Sequence, residues 1–145
     1  MMDYGLKGRV LFVTGGGSGI GRAIALEAAR GGAHVAVADA VAERATQVAA
    51  EVRALGVPAL ACLLDVRDAA ACEATVADIE TRLGAIDAMV ACAGISPPQA
   101  AATMDDEVWT RCLDVNLSGM FRSVQAVGRR MVQRLHADGL HHEAV

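Results

Sequence analysis

Four short apolar runs punctuate the chain, and between them apolar residues recur every three to four positions. The runs are Arg9-Val10-Leu11-Phe12-Val13, Ala33-His34-Val35-Ala36-Val37-Ala38, Ala59-Leu60-Ala61-Cys62-Leu63-Leu64 and Ile86-Asp87-Ala88-Met89-Val90-Ala91-Cys92. Their length and near-continuous apolar character predict strands buried on both faces. The intervening periodicity predicts helices over 22–30, closed by Gly31-Gly32, over 41–55, closed by Gly56, and over 69–83, opened by Asp68 as N-cap and closed by Gly84. Strand and helix in alternation imply right-handed crossovers and a parallel sheet, so the expected fold class is α/β.

Beyond the fourth run the pattern changes. Pro97-Pro98 marks a loop, and Thr103-Met104-Asp105-Asp106 has the form of a capping box opening a short helix over 105–111. Trp109 within it is expected to pack rather than to touch a substrate. A long helix is expected from Asn116 to about residue 136, with Leu117, Met120, Phe121, Val124, Val127, Met131 and Leu135 on one stripe, read as a core or subunit-contact face. Residues 137–145 carry no strand pattern and are expected to form a frayed tail, giving a domain over 1–136. With no fifth strand predicted, the fourth is left as an apolar edge, from which marginal stability and self-association, as a homo-oligomer, are expected.

Composition narrows the function classes. Hydrophobic residues make up 54% and charged residues 21%, which is material for a folded core and not for a disordered chain. A net charge of −4 with only 3% aromatics offers neither a basic patch nor a stacking platform for nucleic acid. No apolar run approaches the length of a bilayer span, so no membrane partner is expected. Cys62, Cys72, Cys92 and Cys112 form no C-x-x-C pair and read as buried, reduced thiols of a cytoplasmic protein. His136, His141, His142, Asp138 and Glu143 would sit on the frayed tail, without the fixed geometry a metal needs.

The candidate chemistry lies in Thr14-Gly15-Gly16-Gly17-Ser18-Gly19-Ile20-Gly21, which joins the first strand to the first helix. Bare backbone N–H groups at a helix N-terminus, approached through glycines, attract a pyrophosphate. Asp39 closes the second strand about twenty residues on, where a carboxylate can accept hydrogen bonds from ribose hydroxyls and would repel a 2′-phosphate. Ser18 is small and neutral. Both features favour NAD over NADP; Arg44, a turn into the next helix, is read as part of a solvated face.

The turn resembles the T-G-x-x-x-G-x-G of the short-chain dehydrogenase/reductase family, and three later segments carry the resemblance further. Asp65-Val66 matches the pair that contacts adenine in the family. The segment ending Ala91-Cys92-Ala93-Gly94 resembles its N-N-A-G turn, with Ala91 and Cys92 in place of both asparagines. Val115-Asn116 matches its V-N pair, whose asparagine helps hold a proton-relay water. The resemblance implies a Rossmann-like, doubly wound parallel sheet of order 3-2-1-4, truncated after about four strands. It implies a dinucleotide site at Gly15, Ser18, Gly19, Ile20, Gly21, Asp39, Asp65, Val66, Cys92, Ala93 and Gly94, with Asn116 in the catalytic apparatus.

The family reaction is hydride transfer between NAD and an alcohol or carbonyl compound. As the resemblance implies, it uses a Ser, a Tyr and a Lys four residues after that Tyr. This chain has one Tyr, Tyr4, and one Lys, Lys7, both ahead of the first strand and three residues apart. Two readings follow: a family oxidoreductase, or a truncated NAD-binding module that turns nothing over. An S-adenosylmethionine-dependent methyltransferase would share the glycine turn and the second-strand acid, but leaves Ala93-Gly94 and Val115-Asn116 without a role.

Overall fold

The computed structural model describes residues 5–139. The tail beyond Gly139, including His141, His142 and Glu143, and Tyr4 at the other end, lie outside the described residues. The elements alternate as β1 (Val10–Thr14), α1 (Gly19–Arg30), β2 (His34–Asp39), α2 (Ala42–Ala54), β3 (Ala59–Leu63), α3 (Ala69–Leu83) and β4 (Ile86–Ala91). A short helix α4 (Asp106–Leu113) then runs through a π-helical turn at Asp114–Gly119 into α5 (Met120–Ala137).

All strand pairs are parallel and the sheet order is β3-β2-β1-β4. Side chains alternate across the sheet, so β1 sends Val10 and Phe12 into one core and Leu11 and Val13 into the other. The first core is closed by Cys72, Val76 and Ile79 of α3 and Ala126 and Val127 of α5. The second is closed by Ala25, Ala28 and Ala29 of α1 and Ala45, Val48, Ala49 and Val52 of α2. Small alanines let α1 and α2 approach the sheet closely; each larger side chain buried here contributes about 1.5–3 kcal/mol.

β4 joins β1 with a register shift: Val10 opposes Ile86 and Leu11 opposes Ala88, so Asp87 is the extra residue. Its carboxylate accepts from the Val10 N–H at 2.8 Å and from Arg9 Nη1 at 2.9 Å, which ties the bulge to its neighbour. The opposite edge of β4 has no partner strand among the described residues, and only Ile86 of its six residues is buried.

The third helix matches the expected bounds, and Asp68 caps it by accepting from the Ala71 N–H at 2.9 Å. Several other expectations are corrected. The N-cap of α4 is Asp105 rather than Thr103, and no side chain caps it, because Asp105 is taken up in a pair of hydrogen bonds with Gln99. Trp109 is 54% exposed instead of packed, since α4 lies on the loop after β4 and buries none of its residues. The long-helix stripe divides: Val127 is buried and Met131 packs on the core, while Leu117, Met120, Phe121, Val124 and Leu135 are exposed. The helix meets the sheet through Ser123, Ala126 and Val127, a face that shares only Val127 and the packed Met131 with that stripe. Cys62 and Cys72 are buried as expected, but Cys92 and Cys112 are only half-buried.

Candidate dinucleotide site

A cleft of about 860 Å³ opens at the carboxyl ends of β1, β2 and β4, the position where ligands bind in open parallel sheets. Its first wall is the turn between β1 and α1. Gly15 has φ +62°, and a Cβ there would stand 2.7 Å from the Ala93 nitrogen and the Cys92 oxygen. A Cβ on Gly21 would run into the Gly15 carbonyl. Gly19 has φ +50° with open space around it, so its requirement is conformational only.

Ser18 stands at the N-cap of α1 in extended conformation, yet its side chain makes no capping bond and the first turn holds no acid. The N–H groups of that turn are therefore left to a ligand in the cleft. Ile20, 76% exposed, lies at its mouth.

Asp39 closes the same wall. It is only 8% exposed; Oδ2 accepts from the Gly17 N–H at 3.1 Å and Oδ1 from the Val41 N–H at 3.0 Å. Each carboxylate oxygen has a second lone pair, so these bonds fix the group and leave capacity for a ribose hydroxyl. Gly17, which the glycine spacing left aside, is required here: a Cβ on it would lie 2.6 Å from Asp39 Oδ2 and from the Arg44 Cβ. Arg44, expected on a solvated face, is exposed but lines the cleft beside Asp39.

The second wall comes from β4, the loop after it and the π turn. The N–H of Cys92 donates to the Thr14 oxygen at 3.1 Å, and that of Ala93 to Thr14 Oγ1 at 3.4 Å, which sets Cys92-Ala93-Gly94 against the glycine turn. Asn116 bonds the Ile95 peptide in both directions: Oδ1 accepts from its N–H at 2.8 Å and Nδ2 donates to its oxygen at 2.9 Å. Val115 and Ile95 line the cleft, while the amide of Asn116 stands behind them. The π turn is seated by Gly119, where a Cβ would lie 2.5 Å from Val66 Cγ2.

Asp65 and Val66 line the far end. The Arg67 guanidinium and N–H donate to Asp65, and this hydrogen bonding holds its carboxyl below the usual value of 3.8. Arg111 of α4 also borders the cleft and adds to that lowering. Arg111 and Ile95 were not singled out in the sequence; Arg44 was, but as part of a solvated face and not of the cleft. Among the described residues no group of three His, Cys, Asp or Glu could hold a metal, and no helix is long and apolar enough to cross a membrane.

A dinucleotide pyrophosphate fits this cleft. Gly15, Gly17 and Gly21 let its first wall pack closely, an uncapped helix N-terminus faces it, and the fixed carboxylate of Asp39 closes that wall.

Comparison with known proteins agrees. The profile of the family described as short chain dehydrogenase matches residues 9–138. The 2,3-dihydro-2,3-dihydroxybenzoate dehydrogenase of Bacillus subtilis is 37% identical over 134 residues, covering 92% of this chain and 51% of that protein. A short-chain type dehydrogenase/reductase from Mycobacterium marinum superposes with a TM-score of 0.84 at 36% identity, over 89% of this chain and 52% of the other. The carveol dehydrogenase of Mycobacterium avium, solved in complex with NAD, gives 0.83 at 27% identity, over 89% and 51%. The chain thus spans about half the length of the relatives it matches. From the family profile, the sheet order and the cleft at its carboxyl edge, the chain belongs to the short-chain dehydrogenase family.

Proposed function

We propose that this chain binds NAD in the cleft and holds it for the family reaction, hydride transfer between NAD and an alcohol or carbonyl compound. The observation that carries this reading is the uncapped N-terminus of α1, reached through Gly15 and Gly21 and faced by a fixed Asp39. Backbone N–H groups of Gly19, Ile20 and Gly21 would receive the pyrophosphate, with the Ser18 hydroxyl beside them. Asp39 would accept from the adenosine ribose, and Asp65 and Val66 would flank the adenine. Cys92, Ala93 and Gly94 would floor the dinucleotide path. Asn116 acts as a positioning residue through the Ile95 peptide. When bound, the nicotinamide supplies the two-electron chemistry; the chain's own residues bind and orient it.

NAD is preferred to NADP in this reading because the Asp39 carboxylate would repel a 2′-phosphate. Arg44 beside it is the competing influence. Fluorescence titration tests the balance: NADH should bind more tightly than NADPH, and Asp39→Ala should narrow the gap. Equal affinities in the wild-type protein would refute the Asp39 argument.

A second reading is favoured by one observation. Tyr4 and Lys7 are the sole residues of their types, and their spacing does not match Tyr-x-x-x-Lys. On that reading the chain by itself binds NAD without turnover. Incubation with NAD and a panel of secondary alcohols decides: NADH production supports the oxidoreductase, and binding without production supports the passive module. We further propose that the protein acts in the cytoplasm, with its thiols reduced, and that it self-associates, because among the described residues β4 has no partner strand on one edge and α5 carries an exposed apolar stripe.

A further inference from the structure

The cleft holds two carboxylates, and they differ in what they have left to offer a ligand. Asp39 accepts one bond at each oxygen, from the Gly17 and Val41 N–H groups. Asp65 accepts two at each: Oδ1 from the Arg67 N–H and Nε, both at 3.0 Å, and Oδ2 from the same Nε at 3.0 Å and from Nη2. A carboxylate has about four acceptor sites, so Arg67 alone occupies those of Asp65.

The backbone acceptors beside it are engaged as well. The Asp65 carbonyl accepts from the Asp68 N–H at 3.1 Å, and the Val66 carbonyl faces the Cys72 thiol at 3.7 Å. Donors, by contrast, remain. Arg67 Nη1 makes none of the contacts to Asp65, and Arg111 borders the same cleft with a guanidinium that can only donate. This end of the cleft therefore presents N–H groups over a saturated carboxylate.

A purine tells such groups apart through its 6-substituent. The 6-amino group of adenine donates, and to bond Asp65 it has to displace one of the Arg67 contacts. A 6-oxo group, as in hypoxanthine, accepts; it leaves the Asp65–Arg67 pair whole and takes a proton from Arg67 Nη1. The pair is made between residues two apart and includes a backbone N–H, so no distant segment has to be ordered for it to form.

We propose that Arg67 sets the base specificity of the dinucleotide site, blocking Asp65 and offering its own N–H to a 6-oxopurine, so that the chain takes nicotinamide hypoxanthine dinucleotide as well as NAD. Arg67 has this role only if the base lies beside Asp65 and Val66, as in the function proposed above. Fluorescence titration of the full chain compares NADH with deamino-NADH, its hypoxanthine analogue, in wild type, Arg67→Ala and Arg67→Met. Residue 67 is exposed, and circular dichroism checks that both variants fold. With the carboxylate bared, the 6-amino group gains an acceptor and the 6-oxo group meets a like partial charge. The preference for NADH over deamino-NADH should then rise about tenfold or more above that of wild type in both variants. The two bases also differ at N1, but that difference is common to all three proteins and cancels when their preferences are divided. A preference unchanged in both variants, as when both dinucleotides weaken alike, would overturn the role of Arg67 and leave NAD binding intact. So would a wild-type chain that binds NADH but not deamino-NADH. A wild-type chain that binds neither would overturn the NAD reading and the role of Arg67 together.

Discussion

The two walls of the cleft are held by different means. On the side of β1, α1 and β2, backbone meets backbone: glycines at positions 15, 17 and 21 remove side chains that would strike the Cys92-Ala93 peptide, Asp39 and the Gly15 carbonyl. On the side of β4 and the π turn, one side-chain amide spans 21 residues of sequence to secure the Ile95 peptide. The first wall is fixed by what cannot fit, and the second by what must be bonded. The first should therefore fail abruptly when atoms are added, and the second by degrees when a bond is removed.

The largest effect is expected from adding atoms to the first wall. Gly21→Val or Gly15→Ala should abolish measurable NADH binding and cost about 1–3 kcal/mol of stability in urea denaturation. Gly19→Ala is the discriminating companion. With open space around it and only φ +50° to satisfy, it should cost about 1–2 kcal/mol and keep more of the binding than Gly21→Val. Equal losses at positions 19 and 21 would erase the distinction between crowding and conformation.

On the second wall Asn116→Ala removes both bonds to Ile95. A loss of about 1–3 kcal/mol and a few-fold weaker NADH binding are expected, with binding still measurable. Asn116→Asp keeps the acceptor but turns a carboxylate oxygen toward the Ile95 carbonyl oxygen, so at neutral pH it should be no more stable than Asn116→Ala. Complete loss of binding in either variant would make this wall as unforgiving as the first.

Asp65 offers a smaller, pH-dependent test at the end of the cleft. Because Arg67 holds its folded-state pKa below 3.8, the stabilisation is complete above that value and is lost as pH falls through the lower, folded-state one. Acid unfolding of the wild-type protein should therefore steepen below pH 3.8 relative to Asp65→Asn. Coincident acid limbs would mean the pair contributes nothing, as is common for exposed ion pairs.

The smallest perturbation is chemical labelling. Burial pushes the Cys62 thiol up to about 11 and raises Cys72 as well, so both should resist iodoacetamide at neutral pH. Cys92 and Cys112, half-buried along the second wall, should react first, and bound NADH should slow Cys92. Rapid modification of Cys62 in the folded protein would show that the β3 edge opens.

This contrast also governs how much could be read from the chain. The β1–α1–β2 unit follows from local pattern: a buried run, glycines where backbone must pass closely, and an acid at the next strand end. Asp68 capping α3 is equally local, needing only a short polar side chain three residues ahead of an N–H. The corrections cluster after β4. Gln99 engages Asp105 and moves the helix start, α4 rides on a loop and leaves Trp109 in solvent, and α5 docks through Ser123, Ala126 and Val127, leaving most of its apolar stripe exposed. Periodicity reports that a helix has an apolar face but not which element will cover it. Asn116 was legible as a residue of interest, yet its bonds to Ile95 depend on a π turn that no periodicity announces.

The amide of Asn116 meets the Ile95 peptide through both its ends, so rotating that one side chain releases the donor and the acceptor together. The Cys112 thiol also reaches the Ile95 oxygen, at 3.8 Å, so a weaker sulfur contact backs the amide in holding the loop after β4. This side of the cleft is thus bounded by bonds that can be exchanged for others, where the glycine wall opposite behaves as a fixed mould.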